Sequence, residues 1–494
     1  MDNLSRIKLE LLTQGMQKQC YKPIKLKAFL YVGHCMTFNI SKIIAENNAG
    51  ANKAYSEHVN SKFAKALKII GFDKTYVKGK GSYLFDDKGT KYLDMLSGYG
   101  AFNIGRSNLV VQQALKDFID GDYSSLVQME TPVLCGVLGH ELKQRIGYDL
   151  DKVYFCSTGA EANETAIKFA RRATGKNTVL YASSAFHGLT TGALSMNGSE
   201  VFKENFGDLT ASRKIPLGDL AALEVELEKG DVAAFFIEPV QGKGVNFAAD
   251  GFLSAASKLC RKHGALFVVD EIQCGMGRTG KFIALHHEKD VQPDIVIISK
   301  SLSGGYVPIA AVVMKEAIFK KTFSSLDRAV VHSSTFGKSN FAMTAGLATL
   351  HVMDEENLCE NAQQMGDLLG NKLLALKDKY EFIHDVRWRG LMLAIEFGKP
   401  KSLKLKTAWA TVNKINEDLF CQAITIPLLQ DHKILTQVAG NEMKVIKLIP
   451  PLTINEDDVE WFVSAFDKVM KDLHKFPGPA WESLSRIAKN AIIK

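Results

Sequence analysis

Between residues 150 and 315, short and largely apolar runs alternate along the chain with longer segments of helical periodicity. The runs show little alternation of apolar and polar positions, which is typical of strands covered on both faces. Residues 159–174 instead place apolar side chains three and four positions apart, which predicts an amphipathic helix. Together they predict an α/β fold with a mostly parallel, doubly wound sheet. The runs predicted as strands are KVYFCS, NTVLYAS, VAAFFIEPV, ALFVVDEI, DIVIISK and AAVVMK.

The pattern is different on either side of this region. Residues 81–96 predict two short strands around a D-D-K-G turn. After about residue 345, long helical stretches alternate with shorter strands, which predicts a smaller α+β domain. Further helices are predicted near residues 5–19 and after Phe476. The predicted division is a helical extension at 1–60, the first part of the small domain at 61–107, the large domain at 108–345 and the rest of the small domain at 346–494.

Composition is ordinary for a globular protein: of the 494 residues, 46% are hydrophobic and 23% are charged. The net charge of +7 is spread thinly and no dense Lys/Arg block occurs, so we predict no nucleic-acid partner. No apolar stretch is long enough for a membrane span, and the first residues lack the form of a secretory signal. Eight scattered cysteines without a Cys-x-x-Cys pair indicate reduced thiols, no metal site and a cytoplasmic location.

Two charged residues follow apolar runs where the predicted strands end. Asp270 ends one run and Lys300 ends the next. Ligands of open α/β sheets bind beyond the carboxyl ends of the strands, so both side chains are candidates for one crevice. A solvated strand end or a turn cap would explain either residue alone, but less easily the pair.

Three other segments have the chemistry of a ligand site. Thr158, Gly159 and Ala160 lie where a strand meets a predicted helix, and a helix N-terminus binds anions. Phe186 and His187 follow another strand, where an aromatic ring can cover a flat ligand. Thr335 lies in a Ser/Thr-rich loop and can donate a hydrogen bond to a phosphate. A capped helix, a core aromatic and a polar turn would explain the same three segments structurally.

These residue types together suit one cofactor. A lysine amine can bind a carbonyl carbon covalently. A carboxylate can keep a pyridine nitrogen protonated, a helix N-terminus can hold a phosphate, and an aromatic ring can stack on the cofactor. Pyridoxal 5'-phosphate asks a protein for this combination of groups.

The motifs that contain these residues make the resemblance to a known family specific. Over roughly residues 75–470 the chain resembles the class-III, omega-type aminotransferases of the fold-type-I pyridoxal phosphate enzymes, with putrescine, ornithine and acetylornithine aminotransferases nearest. The resemblance implies a seven-stranded, mostly parallel sheet flanked by helices, and a smaller α+β domain. The motifs, in the family's order, are STGAEANE, FHG, EPVQG, VVDEIQCGMGRTG, PDIVIISKSLSGG, HSSTFG and PPLTI.

The resemblance also implies a role for each matched residue. Lys300 matches the lysine that binds the cofactor and moves the substrate proton, and Asp270 matches the partner of the ring nitrogen. Gln273 resembles the residue near the ring oxygen, Phe186 the stacking aromatic, and His187 its neighbour.

The remaining matches concern the phosphate and the subunit contact. Thr158, Gly159 and Ala160 match the phosphate loop, and Glu238 matches the glutamate of the EPVQG motif. Thr335 matches a threonine that reaches the cofactor phosphate of the neighbouring subunit, so the resemblance implies a homodimer.

Departures from the family pattern concern substrate recognition. Leu189 stands where relatives that act on ornithine-type substrates commonly have arginine, Lys243 replaces a glutamate, and Lys447 replaces an arginine. Lysine does not reproduce the planar two-point contact that arginine makes with a carboxylate. We therefore expect a terminal amine donor, such as a diamine, an omega-amino compound or a longer-chain amine. Tyr99 lies where some relatives have a pocket aromatic.

The expected reaction moves the amino group to a 2-oxo acid such as 2-oxoglutarate or pyruvate, and Lys447 can hold the carboxylate of that acceptor. Different functions stay open. Another arginine, such as Arg278, Arg387 or Arg389, can bind a donor carboxylate, as an ornithine or acetylornithine aminotransferase would need. The same fold also supports an aminomutase or a racemase. The intact set Lys300, Asp270, Gln273 and Thr335 argues against a binding protein without activity.

Overall fold

The computed structural model describes residues 38–415, 420–439, 444–475, 478 and 481. The helices predicted near residues 5–19 and after Phe476 lie outside these residues. The chain divides into two units, residues 1–51 and residues 52–494. The first contains helix α1 (Ile40–Asn47), which begins after Asn39, because the Asn39 side chain accepts a hydrogen bond from the backbone N–H of Lys42.

Strands β1 (Tyr76–Lys80), β2 (Tyr83–Asp86) and β3 (Lys91–Asp94) form an antiparallel sheet near the start of the second unit. The Asp86 carboxylate accepts the backbone N–H groups of Lys88 in the D-D-K-G turn and of Thr90 directly after it, so the predicted hairpin is confirmed. A two-residue strand at Ile434–Leu435 pairs in parallel with β3. This pairing brings a late segment of the chain beside an early one.

The large sheet has seven strands, as predicted. All neighbouring pairs are parallel except the two made by the strand Ala310–Met314, which runs antiparallel to both of its neighbours. The strands are β4 (Lys152–Cys156), β5 (Thr178–Ala182), β6 (Ser212–Ile215), β7 (Val232–Ile237), β8 (Leu266–Asp270), β9 (Ile295–Ile298) and β10 (Ala310–Met314), in the order β4-β10-β9-β8-β7-β5-β6.

Apolar layers cover both faces of this sheet. Successive residues of one strand belong to different core clusters: Phe235 to one and Phe236 to the other. The same alternation holds for Val268 and Val269. Because side chains alternate across a strand, this division explains why the runs are apolar without a break.

Several helices pack on the large sheet, among them those at Gly159–Thr174 and Phe252–Lys262. The predicted helix at 159–174 is confirmed with those limits. Within the described part of the chain, no helix combines the length and the apolar character that crossing a membrane requires. The helices are α2 (Ala51–His58), α3 (Ser61–Ile69), α4 (Ser97–Gly100), α5 (Leu109–Asp120), α6 (Val133–Ile146), α7 (Gly159–Thr174), α8 (Thr191–Ser195), α9 (Leu220–Glu228), α10 (Phe252–Lys262), α11 (Glu316–Thr322), α12 (Asn340–Glu355), α13 (Leu358–Lys379), α14 (Leu403–Ile415), α15 (Gln422–Gln430) and α16 (Glu456–Leu473).

The smaller domain contains a four-stranded antiparallel sheet, in the order β11-β12-β15-β14 once its strands are numbered along the chain. Helix α13 packs against its first two strands and helix α16 packs against α13, so its α+β character is as predicted. The domain limits at residues 60, 107 and 345 remain predictions. The late strands are β11 (Ile383–Arg389), β12 (Met392–Phe397), β13 (Ile434–Leu435), β14 (Gln437–Ala439) and β15 (Val445–Leu448).

A fully buried guanidinium joins the small-domain sheet to the loop after β8. Arg278 donates to the carbonyl oxygens of Leu391 (3.0 Å) and Pro450 and to Oδ1 of Asn103 (2.6 Å). Burial is the main reason why the pKa of Arg278 is lowered to about 9. The backbone contact beside it is equally tight, since the N–H of Leu391 donates to the carbonyl of Arg278.

Gly390, in the turn between β11 and β12, provides a test of this contact. It has φ +51°, and a Cβ atom there would lie 2.6 Å from the backbone nitrogen of Gly280. We expect Gly390→Ala to lower the free energy of unfolding by about 2–5 kcal/mol, because steric overlap adds to backbone strain. Urea denaturation measures this loss.

The matched control is Gly89→Ala in the β2–β3 turn. Gly89 also has positive φ, but a Cβ atom there would meet no atom within 4 Å. Gly89→Ala should therefore lower the free energy of unfolding through backbone strain alone, by about 1–2 kcal/mol. Equal losses in the two variants would contradict the packing argument.

Candidate active site

The ends of several parallel strands bring the predicted site residues to one edge of the large sheet. Asp270 is the last residue of β8, and it lies in register with Ile297 of the neighbouring β9 strand. Lys300 comes two residues after β9, and Glu238 directly follows β7 on the other side of β8. The sheet therefore brings one amine and two carboxylates together, although they are far apart in sequence.

The Asp270 carboxylate is buried and accepts three hydrogen bonds. Its Oδ2 atom accepts from Nδ1 of His187 (2.7 Å) and from Nδ2 of Asn163 (3.0 Å), and its Oδ1 atom accepts from the backbone N–H of Ile272 (3.0 Å). A carboxylate offers about four acceptor positions, so about one remains for a further donor.

His187 stabilises this carboxylate from the loop after β5. Burial alone would lower the pKa of His187, but the hydrogen bond and the charge of Asp270 outweigh burial and raise it. The other ring nitrogen, Nε2, is buried and has no partner among the described residues. His187 thus fixes the orientation of the carboxylate.

Lys300 has a strained backbone at the end of its strand. Its φ angle is +45°, in the left-handed region that side chains other than glycine rarely adopt. Such strain is concentrated at functional sites. Burial lowers the pKa of the Lys300 amine, and the charges of Asp270 and Glu238 oppose that shift.

Glu238 connects two loops beneath the site. Its two carboxylate oxygens accept the backbone N–H groups of Phe186 (3.0 Å) and Gly242 (2.7 Å). Burial raises the pKa of Glu238, whereas the charge of His187 lowers it. The carboxylate therefore sets the position of the Phe186 backbone relative to the loop after β7.

The N-terminus of α7 lies beside this cluster. Thr158 is the capping residue, and its Oγ1 atom accepts from the N–H of Glu161 (3.1 Å). The N–H groups of Gly159 and Ala160 belong to the first turn, where a helix has no acceptors of its own. This arrangement can bind an anion.

Lys447, on strand β15, contacts Gln273. The Nζ atom of Lys447 donates to Oε1 of Gln273 (3.0 Å) and to the carbonyl of Gly242 (2.7 Å). The amide nitrogen of Gln273 donates to the carbonyl of Tyr99 (2.9 Å). The Tyr99 side chain is exposed, and both Ser97 and Tyr99 in its turn have positive φ angles.

Lys243 lies over two aromatic rings on the other side of Gly242. Its Nζ atom is 4.2 Å from the ring centre of Phe202 and 5.7 Å from that of Phe186. The two rings meet edge to face. Burial lowers the pKa of Lys243, and the charge of Glu238 opposes the shift. Leu189, which lies between Phe186 and Phe202 in sequence, is exposed.

The three arginines that could instead bind a donor carboxylate are occupied by protein contacts. Arg278 donates to the carbonyl groups described above. Arg387 pairs with Glu396 (2.6 Å) and donates to the carbonyl of Gly244 (2.6 Å). Arg389 pairs with Asp250 (3.2 Å). These contacts hold the backbone and surface in place, which disfavours substrate binding by any of the three.

Thr335 is exposed and lines a cavity of about 1170 Å³ whose lining does not include Asp270, His187 or Lys300. Its carbonyl accepts from the side chain of Gln128. The contact of Thr335 with the cofactor phosphate of a neighbouring subunit remains a prediction.

Asn163 and Phe202 were not among the predicted site residues. Asn163 donates to Asp270 and also to the carbonyl of His187 (2.8 Å). Its position four residues after Gly159, one helical turn further on the same face, is a signal that the sequence contains. Phe202 has no comparable local signal, because only the fold brings its ring to Phe186.

The geometry defines a strand-edge site with a strained lysine, a buried and hydrogen-bonded carboxylate, and a helix N-terminus. Comparison with known proteins extends this description. The family model for class-III aminotransferases matches residues 70–470, so the chain belongs to the class-III aminotransferase family. Members of this family are pyridoxal phosphate enzymes.

A curated relative agrees with this assignment. Aminotransferase PigE of Serratia sp. (strain ATCC 39006) is 33% identical over 472 residues, which cover 88% of this chain and 55% of that protein. The chain thus spans about half the length of this curated relative.

Two solved structures have the same fold. Ornithine aminotransferase from Toxoplasma gondii has 30% identity and a TM-score of 0.71, and the match covers 81% of this chain and 91% of that one. An S-selective transaminase from Arthrobacter sp. has 25% identity and a TM-score of 0.71, with coverage of 81% and 93%.

The residues of the site fit pyridoxal phosphate. The remaining acceptor position on Asp270 suits a protonated ring nitrogen. The first turn of α7 suits a phosphate, Phe186 is half-buried beside His187, and Lys300 follows the neighbouring β9 strand by two residues. The unpartnered Nε2 atom of His187 shows that hydrogen-bonding capacity remains in the described part of the site.

Proposed function

We propose that the chain is a pyridoxal phosphate-dependent aminotransferase. It moves the amino group of a terminal amine to a 2-oxo acid such as 2-oxoglutarate or pyruvate. The observation that carries the proposal is the meeting of the strained Lys300 with the buried Asp270–His187 pair at one sheet edge. Pyridoxal phosphate, when bound, supplies an electron sink for the carbon that loses a proton.

The residues of the chain then divide the work. The amine of Lys300 would hold the cofactor until the amine of the substrate displaces it, and the freed Nζ would then take the proton from the substrate carbon that bears the amino group. Its lowered pKa favours the neutral amine that a base requires. Asp270 keeps the ring nitrogen protonated, and His187 and Asn163 orient Asp270.

The other predicted residues bind and position. Thr158, Gly159 and Ala160 hold the phosphate through the first turn of α7. Phe186 would stack on the ring, with its backbone held by the hydrogen bond that its N–H donates to Glu238. Gln273 would lie near the ring oxygen.

The donor we propose is an amine without an α-carboxylate. The cations near the site are the lysines at positions 243 and 447, whereas the arginines at 278, 387 and 389 are occupied by protein contacts. The aromatic pair Phe186 and Phe202 provides an apolar surface for the carbon chain of a diamine or longer amine. Lys447 and Lys243 leave a positive potential for the carboxylate of the acceptor, and the exposed Tyr99 is proposed to complete the pocket.

The active form we propose is a homodimer. Exposed apolar side chains lie on the segments around the Thr335 cavity, including Met129, Leu326 and Val330. An exposed apolar surface of this kind indicates a protein contact. A second copy covering it would bring Thr335 to the neighbouring site.

Lys300→Ala tests the cofactor assignment. Borohydride reduction of the purified wild-type protein should leave a pyridoxyl group on the peptide that contains Lys300, as measured by mass spectrometry. The variant should carry no such group and lose the visible absorbance band of the cofactor. Lys315→Ala, at the end of the adjacent β10 strand, should behave like the wild type, because Lys315 pairs with Asp294 (2.7 Å) away from the site. An unmodified wild-type Lys300 would refute the assignment.

A donor screen tests the substrate class. With 2-oxoglutarate or pyruvate as acceptor, putrescine or a long-chain amine should exceed ornithine and acetylornithine in kcat/KM by about tenfold or more. A preference for ornithine-type donors would contradict the proposed donor class. Product without net transfer to the oxo acid would indicate an aminomutase or racemase.

Met129→Asp tests the dimer. Met129 is 95% exposed in the single chain, and a carboxylate there would be buried without a partner in the proposed interface, at a cost of several kcal/mol. Light scattering should show a dimer for the wild type and a monomer with weaker cofactor retention for the variant. Leu403→Asp, at an equally open position on α14 (81% exposed), should stay dimeric. A monomeric wild type would refute the proposed assembly.

A further inference from the structure

Lys447 is a buried amine whose hydrogen-bond partners carry no charge. Its residue is only 4% exposed, and both acceptors of its Nζ atom, the Gly242 carbonyl and the Gln273 side-chain oxygen, are neutral. Among the described residues, no carboxylate lies within ion-pair distance of Nζ. An ammonium group in such a position is costly unless a negative charge arrives.

The charged groups that face Lys447 are mostly positive. The charged forms of Lys300, Arg278 and Lys243 would each lower the pKa of Lys447, whereas Glu238 raises it. Both Glu238 oxygens already accept backbone N–H groups. Burial first, and then the charge of Lys300, lower the pKa of Lys447 to about 7. The amine is therefore poised to lose or gain a proton near neutral pH.

The surroundings of Lys447 hold its side chain in place. It lies inside β15, in register with Ala394 on one side and Gln437 on the other. The Gly242 backbone packs so closely that a Cβ atom there would be 2.8 Å from Oε1 of Gln273. Position 243, next to Gly242, is a lysine. It therefore provides no carboxylate with which Lys447 could form an ion pair. A change in the electrostatics of the site therefore requires a change of protonation.

We propose that Lys447 lets one pocket accept both substrates by changing its own charge. It is a neutral amine while the amine donor is bound, and it takes a proton from solvent when the carboxylate of the 2-oxo acid enters. Only a proton moves, and Lys447 forms no covalent bond. This inference deepens the proposed function and rests on it.

The two substrates make opposite demands on this position. A diamine brings a positive group into the pocket, which a fixed cation would repel. A 2-oxo acid brings a carboxylate, which a neutral amine binds poorly. A permanently charged residue can serve the acceptor but disfavours the donor, whereas an amine that titrates near neutrality can serve both.

Calorimetry with glutarate, an unreactive dicarboxylate, tests the proposal on the holoenzyme. Titrations in two buffers of different ionisation enthalpy give the number of protons taken up on binding. About one pH unit above the pKa, nine-tenths of the free amines are neutral, so uptake should approach about 0.9 proton. About one unit below the pKa, uptake should fall to about 0.1 proton. Affinity for glutarate should decrease about tenfold per pH unit above the pKa.

Two variants separate the charge from the side chain. Lys447→Arg keeps a permanent charge, so it should bind glutarate with no proton uptake and with an affinity that does not change over this pH range. It should also raise the KM for putrescine about tenfold or more relative to the wild type. Lys447→Met should bind glutarate at least about tenfold more weakly, again without uptake.

Three results would overturn the proposal: no glutarate binding to the wild type, binding without proton uptake at the higher pH, or the same uptake in Lys447→Arg. The borohydride adduct on Lys300 and loss of the visible band with an amine are measured on the same preparation. If the adduct and the loss of the band are both observed but glutarate binding takes up no proton, the proposed charge change of Lys447 is wrong and the aminotransferase function is unaffected. If both are absent, the proposed aminotransferase function itself fails.

Discussion

The site depends on one buried carboxylate. Asp270 ends the central strand of a sheet whose layers exclude water, so its charge is stable only because His187, Asn163 and a backbone N–H donate to it. These donors come from the loop after β5, from α7 and from the turn after β8. The segments that surround the site are therefore tied to a single charge, and their arrangement persists only while that charge is satisfied.

A second set of hydrogen bonds runs along the other side of the site. Glu238 accepts from the backbone of Phe186 and Gly242, and the Gly242 carbonyl accepts from Lys447, which also donates to Gln273. Each of these hydrogen bonds joins a charged side chain to a neutral group. The floor of the site is thus rigid in geometry, while the charge of the Lys447 amine remains adjustable.

Local patterns predicted much of this arrangement. The helix at 159–174, the hairpin around D-D-K-G and the positions of Asp270 and Lys300 at strand ends all follow from spacing and from the rule that parallel strands end at one edge. The surroundings of Lys447 do not follow from any local pattern. Its acceptors are 174 and 205 residues away in sequence, and only sheet packing brings them together. The hydrogen bonds from Arg387 to the loop carbonyls cannot be predicted from the sequence for the same reason.

The contacts of Arg278 have a consequence for how the chain folds. Its guanidinium donates to oxygens that are 113, 172 and 175 residues away in sequence. Each partner lies in a different part of the chain, and loop closure over such distances is slow. Until all three segments have arrived, a cation would be left in a forming core without ligands. Docking of the early hairpin region and the late sheet onto the central sheet is therefore expected to be a concerted and late event in folding.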